Sequence, residues 1–212
     1  KSGSDNTDWR STIETHFTET DHETHFFELP DQCDKKAIQK HIRKIMPDRI
    51  AAVGGDGTVK LVAECAMGES IPIGIIPAGS ANGMAREFGI SNNIQEALDN
   101  IVSGTIKKIH LVKVNDECCI HLCDIGFNAF MIKKFESLEA RGKWGYAKAC
   151  WSCFWERNTM IVEVKVNNKN EFKKAVMIVI ANATKYGTGA LINPDGKLDD
   201  ELFEIIIIKR FS

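Results

Sequence analysis

Residues 49–58 read Arg-Ile-Ala-Ala-Val-Gly-Gly-Asp-Gly-Thr, an apolar run that ends in Gly54-Gly55-Asp56-Gly57-Thr58. A buried strand that stops at glycines and opens directly into a helix-like segment is the signature of an α/β unit. The glycines let the backbone approach a ligand closely. The helix start beyond them offers unsatisfied N–H groups and the positive end of a dipole, which suit an anion, most often a phosphate. The plainer alternative is a tight strand–helix turn capped by Asp56. The stretch is not a Walker loop, because no G-x-x-x-x-G-K-[ST] occurs, and it is not the Rossmann fingerprint, because G-x-G-x-x-G is absent. A phosphate bound there would be held by backbone and hydroxyl groups, without a P-loop lysine.

Twenty residues on, the pattern repeats. Ile73-Gly74-Ile75-Ile76 runs into Pro77-Ala78-Gly79-Ser80-Ala81-Asn82-Gly83 and then into another helical segment. In a doubly wound sheet such loops gather at the carboxyl ends of the strands, where ligands bind. Ser80 and Asn82 could supply hydroxyl and amide contacts; their plainer role is helix capping.

Outward from these loops, the first half alternates strand-like runs (25–29, 49–53, 71–76) with helix-like segments (34–46, 58–67, 82–88, 94–102), which predicts a mostly parallel sheet with helices on both faces. Beyond about residue 105 the pattern changes to consecutive strands at 105–115, 118–125, 160–166, 174–181 and 202–209. Turns fall at Asn115-Asp116 and at 167–170, and the composition of 130–154 is helical. Residues 1–107 are therefore expected to form an α/β domain and 108–212 an antiparallel, β-rich one. The acidic, Thr-rich stretch 18–24 reads as an exposed loop.

The 212 residues suffice for one large or two modest domains. Lys+Arg total 27 against 29 for Asp+Glu, a net charge of −2, which argues against a dedicated nucleic-acid binder. No apolar stretch approaches the roughly 18 residues of a membrane span, and no secretory signal is visible. The 7 cysteines are odd in number and not spaced as a disulfide scaffold, so they read as reduced thiols of a cytosolic protein. Cys150-x-x-Cys153 lacks the second pair a zinc site needs.

The two loops together resemble the catalytic domain of diacylglycerol kinases, the family that includes bacterial lipid kinases and sphingosine kinases. Gly54-Gly55-Asp56-Gly57-Thr58 is followed by Pro77 through Arg86; Gly126-Phe127-Asn128-Ala129 is followed by Gly142-Lys143-Trp144-Gly145-Tyr146; and Asn193 through Asp200 is similar to the family's P-x-A-x-L-x-D-G turn. Lys1-Ser2-Gly3 resembles the end of its N-P-x-S-G element. The match runs in order over nearly the whole chain.

The resemblance implies an N-terminal three-layer α/β domain of NAD kinase/diacylglycerol kinase type, a C-terminal β-sandwich, and an active site between them. It implies transfer of the ATP γ-phosphoryl group to a lipid hydroxyl, with ATP and Mg2+ as cofactors. Gly54, Gly55, Gly57 and Thr58 would cradle the phosphates, Ser80 and Asn82 would contact nucleotide or acceptor, and Lys1, Ser2 and Gly3 would add backbone contacts. Asp56 would hold magnesium-ATP or orient the attacking hydroxyl, and both roles stay open. Asp200 falls where similar enzymes carry a magnesium-binding aspartate, flanked by Lys197 and Leu202 as carbonyl donors; a plain acidic turn is the alternative.

Four features depart from the family pattern. The chain begins inside the first nucleotide motif. Lys60 and Leu61 replace an Asn and a Glu that usually follow the glycine loop, and Lys60 is expected either to touch phosphate or to face solvent. Glu201 stands for the glycine after the magnesium aspartate. A D-G-E segment bearing a glutamate base is expected beyond residue 212, so the sequence reads as part of a longer protein. A lipid acceptor also implies a bilayer surface. The basic and aromatic residues Lys133, Lys134, Arg141, Lys143, Trp144, Tyr146, Lys148, Trp151, Phe154 and Trp155 are candidates for peripheral contact from the cytoplasm or for core packing. A homodimer through 202–208 stays open, as do an NAD kinase-like phosphotransferase and a non-catalytic nucleotide- or lipid-binding module.

Overall fold

The computed structural model describes residues 7–30, 34–126, 159–186 and 189–210. They fall into two compact units, residues 1–120 with 184–194, and residues 121–183 with 195–212.

The first unit centres on two parallel strands, β1 (Ile50–Gly54) and β2 (Ile73–Pro77), in register from Ile50 opposite Ile73 to Gly54 opposite Pro77. Side chains alternate across a strand, so Ile50 and Ile73 serve one face while Val53 and Ile76 serve the other. On the first face lie α2 (Lys35–Ile45) and α3 (Asp56–Ala66), joined through Ile38, Ile42, Cys65 and Ala66. On the second lie α1 (Trp9–Phe17) and α5 (Ile94–Ser103), where Ile13, Ile76 and Leu98 are buried with Trp9, Phe17 and Phe26 around them. The result is three layers, helix–sheet–helix. Asp34 and Asn93 cap α2 and α5 by accepting N–H bonds from Lys36 and from Gln95 and Glu96. Three more elements stand among the described residues of this unit: α4 (Gly83–Glu87), and β3 (Val112–Val114) and β4 (Glu117–Cys119), which form a hairpin.

The second unit holds an antiparallel sheet in the order β5 (Leu122–Gly126), β8 (Met177–Ala181), β9 (Glu204–Ile208). Beside these, β6 (Met160–Val166) and β7 (Lys169–Ala175) form a hairpin. Its two-residue loop, Asn167-Asn168, has φ of 48° and 64°, the left-handed pair a primed turn requires. Val179 and Ala181 are fully buried on one face of the β8 sheet.

Five elements differ from the sequence expectation. The expected strand 105–115 is formed only over Val112–Val114, where it pairs with β4, and residues 105–111 are irregular. Residues 25–29 are irregular: Phe26 packs into the α1–α5 cluster under the Arg10 guanidinium and Phe27 touches His41, while the rest of the run, Phe27 and Leu29 included, is exposed and has no strand ladder. The expected strand 118–125 is two strands, because Cys119 pairs with β3 whereas Leu122 pairs with β8. The expected strand 174–181 breaks at Val176, whose N–H donates to Ile208. Helix α1 carries no sequence expectation at all; Asp8 caps it by accepting the Ser11 N–H. Residues 130–154 lie outside the described residues. No described helix is long and apolar enough to cross a membrane, and no disulfide joins the described cysteines.

Glu201 has φ of 62°, in the left-handed region that glycine enters freely and other residues enter at a cost. Glu201→Gly is expected to raise stability by about 1 kcal/mol, read as a higher urea midpoint at unchanged slope; an unchanged or lower midpoint would contradict the strain.

Candidate functional site

The carboxyl ends of β1 and β2 are adjacent, and each strand continues into its own glycine-containing loop. The Ala78 N–H donates to the Gly54 carbonyl at 3.1 Å, which carries the ladder past the last paired residues. Beyond that bond the loops touch backbone to backbone. A Cβ on Gly79 would stand 2.5 Å from Gly55 Cα and 3.0 Å from Gly55 N, so Gly79 must lack a side chain, while a Cβ on Gly55 would stand 3.2 Å from Gly79 Cα, a tight contact.

Asp56 is the first residue of α3, yet its carboxylate caps the next loop's helix. The Met84 N–H donates to Oδ1 at 2.8 Å and the Gly83 N–H to Oδ2 at 2.9 Å. Gly83 and Met84 are buried, so these donors have left water for the carboxylate. Asn82, with φ of 52°, precedes α4, but its side chain turns back. It accepts the Gly79 N–H at 2.9 Å and donates to the Gly79 carbonyl at 2.8 Å. The 79–82 turn is therefore locked by its own side chain, and Asp56 locks it to α3.

At its other end, α4 is held by Glu87. Thr184 donates its N–H to Oε1 at 3.1 Å and its hydroxyl to Oε2 at 2.9 Å. Nothing in the sequence singles out Glu87 or Thr184: their separation leaves no local pattern.

The structure thus brings Gly54, Gly55, Asp56, Gly79 and Asn82 together. Gly57 and Ser80 are exposed and Thr58 is half-buried at the same loop ends. Lys1, Ser2 and Gly3 lie outside the described residues. In the second unit, the Leu202 N–H donates to Asp200 Oδ1 at 3.0 Å, and Lys197 is exposed.

Lys60 takes neither expected position. Its ammonium lies 2.9 Å from Glu117 Oε2 and 3.8 Å from Glu64 Oε1, and Lys35 lies 2.7 Å from Glu64 Oε2. The Glu117 hydrogen bond raises the Lys60 pKa above its usual 10.5, and the same bond lowers Glu117 below its usual 4.5. Glu64 raises Lys35 likewise. Lys60 is thereby committed to an ion network linking α2, α3 and β4. Leu61 packs into the α2–α3 cluster, so the two residues that replace the family's Asn and Glu both serve the scaffold.

Comparison with known proteins places the chain in a family. The diacylglycerol kinase catalytic domain matches residues 1–114, and the YegS C-terminal NAD kinase beta sandwich-like domain matches residues 123–212. A diacylglycerol kinase of Mycobacterium tuberculosis is 28% identical over 173 residues, 78% of this chain and 56% of its own length. An uncharacterised protein of Synechocystis is 32% identical over 158 residues, 71% of this chain and 36% of its own. The crystal structure of a diacylglycerol kinase from Bacillus anthracis matches with a TM-score of 0.65 at 26% identity, over 92% of this chain and 68% of that one. The chain spans about half the length of the curated relatives it matches. The chain belongs to the diacylglycerol kinase family, with a three-layer α/β catalytic domain followed by a β-sandwich domain.

Proposed function

We propose that the protein is an ATP-dependent lipid kinase that transfers the γ-phosphoryl group to the hydroxyl of diacylglycerol or a related lipid alcohol. The observation that carries this is the backbone contact of Gly55 with Gly79, which sets two glycine loops side by side at the ends of parallel strands. Phosphoryl transfer needs positioning and charge neutralisation more than covalent chemistry, and these loops are suited to both. The Gly54–Thr58 turn opens α3, an 11-residue helix whose free N–H groups favour phosphate oxygens. Gly57, Thr58 and Ser80 offer backbone and hydroxyl donors beside them, and Lys1, Ser2 and Gly3 extend the phosphate contacts. Both oxygens of Asp56 receive backbone N–H groups, so Asp56 shapes the phosphate pocket first and reaches magnesium-ATP or the lipid hydroxyl only through that shape.

In the second unit, the Asp200 carboxylate with the main-chain carbonyls of Lys197 and Leu202 is an all-oxygen donor set, fitting a hard divalent cation such as magnesium. An ion bound there would fasten the turn before β9, while magnesium carried by ATP would neutralise phosphate charge. The protein meets its lipid acceptor by peripheral contact from the cytoplasm.

The test is transfer of label from γ-labelled ATP to diacylglycerol in mixed micelles by the full-length protein. A labelled phospholipid product is expected. ATP binding without any labelled lipid would instead identify a nucleotide-binding module, and absence of ATP binding would overturn the reading.

A further inference from the structure

Helix α4 has five residues, little more than one turn. Such a helix cannot set its own direction, because nucleation is costly and few bonds are gained. Its direction is imposed from outside, by a carboxylate at each end. Asp56 receives the N–H groups of its first two residues, and Glu87, its last residue, receives both donors of Thr184.

Thr184 is in turn fixed. Its carbonyl accepts the N–H groups of Ile192 and Asn193, each at 3.0 Å. Asn193 is 4% exposed, and Lys185 bridges to Leu191 in the same segment. All three polar groups of Thr184 are thus used, and the described residues 184–186 and 189–194 form an anchored strap within the first unit. From the strap, contact runs through Glu87 and α4 to Asn82, from Asn82 to Gly79, and from Gly79 to Gly55.

We propose that Glu87 is a positioning residue for the phosphate loops: by accepting both Thr184 donors it ties α4 to the 184–194 strap and holds the Gly79–Gly83 loop against the Gly54–Thr58 loop in its nucleotide-binding form. This rests on the kinase reading. A half-buried carboxylate that receives the N–H and the hydroxyl of one residue is geometrically specific in a way that a solvated surface charge is not.

ATP binding by calorimetry, well below the melting temperature of each protein, tests it. Glu87→Ala is expected to weaken ATP binding at least about tenfold. Thr184→Val, which removes one donor, has a smaller effect, and the double variant binds no worse than Glu87→Ala alone. Glu87→Gln, which retains an acceptor for the Thr184 N–H while the hydroxyl can rotate to accept from the amide, restores most of the affinity. A lowered melting temperature with ATP affinity within twofold of the parent would reduce Glu87 to a stability clamp and overturn the proposal. Should Glu87→Ala fail to fold, Thr184→Val decides: unchanged affinity overturns the proposal as well. A flat titration of the parent protein removes the kinase reading and this inference together, whereas a binding parent with unaffected variants removes only this inference.

Discussion

On the kinase reading, Gly79→Ala is expected to weaken ATP binding about 10–100-fold, the equivalent of the roughly 1–3 kcal/mol that overpacking between the two loops costs. The added methyl would stand 2.5 Å from Gly55 Cα and 2.9 Å from Asn82 Oδ1. Neither neighbour can yield cheaply. Gly55 is backbone at the end of a paired strand, and the Asn82 side chain is engaged twice with Gly79 itself. The loops must part, and overpacking of this kind costs about 1–3 kcal/mol of stability as well. Gly57→Ala is the control: a Cβ there meets nothing within 4 Å. It should leave stability unchanged or slightly raised, since alanine favours a helix more than glycine does. ATP affinity within threefold of the parent in Gly79→Ala would show that nucleotide does not depend on the joined loops.

Asp56 carries the second large effect. Asp56→Ala strips two buried N–H groups, those of Gly83 and Met84, of their acceptors, and should destabilise the protein by about 2–4 kcal/mol. Asp56→Asn keeps one acceptor but turns an amide N–H2 toward a donor, so it is expected to lose much of the same stability and to lower turnover by more than about 100-fold. Urea unfolding and turnover of the two variants separate the possible roles. A residue acting only on magnesium-ATP or on the attacking hydroxyl would lose turnover in the Asn variant while its unfolding midpoint stayed put. If that pattern appeared, Asp56 would belong to the chemistry and not to the loop's architecture.

Local patterns made the glycine loops and most helices of the first unit readable. The Ile38, Ile42 and Ile45 spacing announces α2, and the apolar runs that end at Gly54 and Pro77 announce the parallel pair. What escaped depends on distant partners. Asp56 could be read as a cap, but not as the cap of a helix 27 residues away, and Glu87 meets Thr184 across 97 residues. Lys60 kept its charge but found Glu117, far along the chain. Helix α1 has Ile13 as its one buried residue, too little apolar periodicity to announce a helix. Residues 25–29 failed in the opposite sense: an apolar run looks the same whether a neighbouring strand buries it or, as here, only Phe26 packs inward while Phe27 and Leu29 stay exposed.

The strap at 184–194 also bears on how the chain comes off the ribosome. The first unit is not contiguous: its last eleven residues are made only after the whole stretch from His121 to Ala183 has been synthesised. Folding of the N-terminal unit as it emerges would therefore stop one piece short, with Glu87 still waiting for Thr184, and closing that long loop makes its final docking a slow, late event. A fragment ending at Ile120 would carry both glycine loops yet lack the segment that fastens α4, so nascent or proteolysed forms of that length should behave as incompletely folded chains.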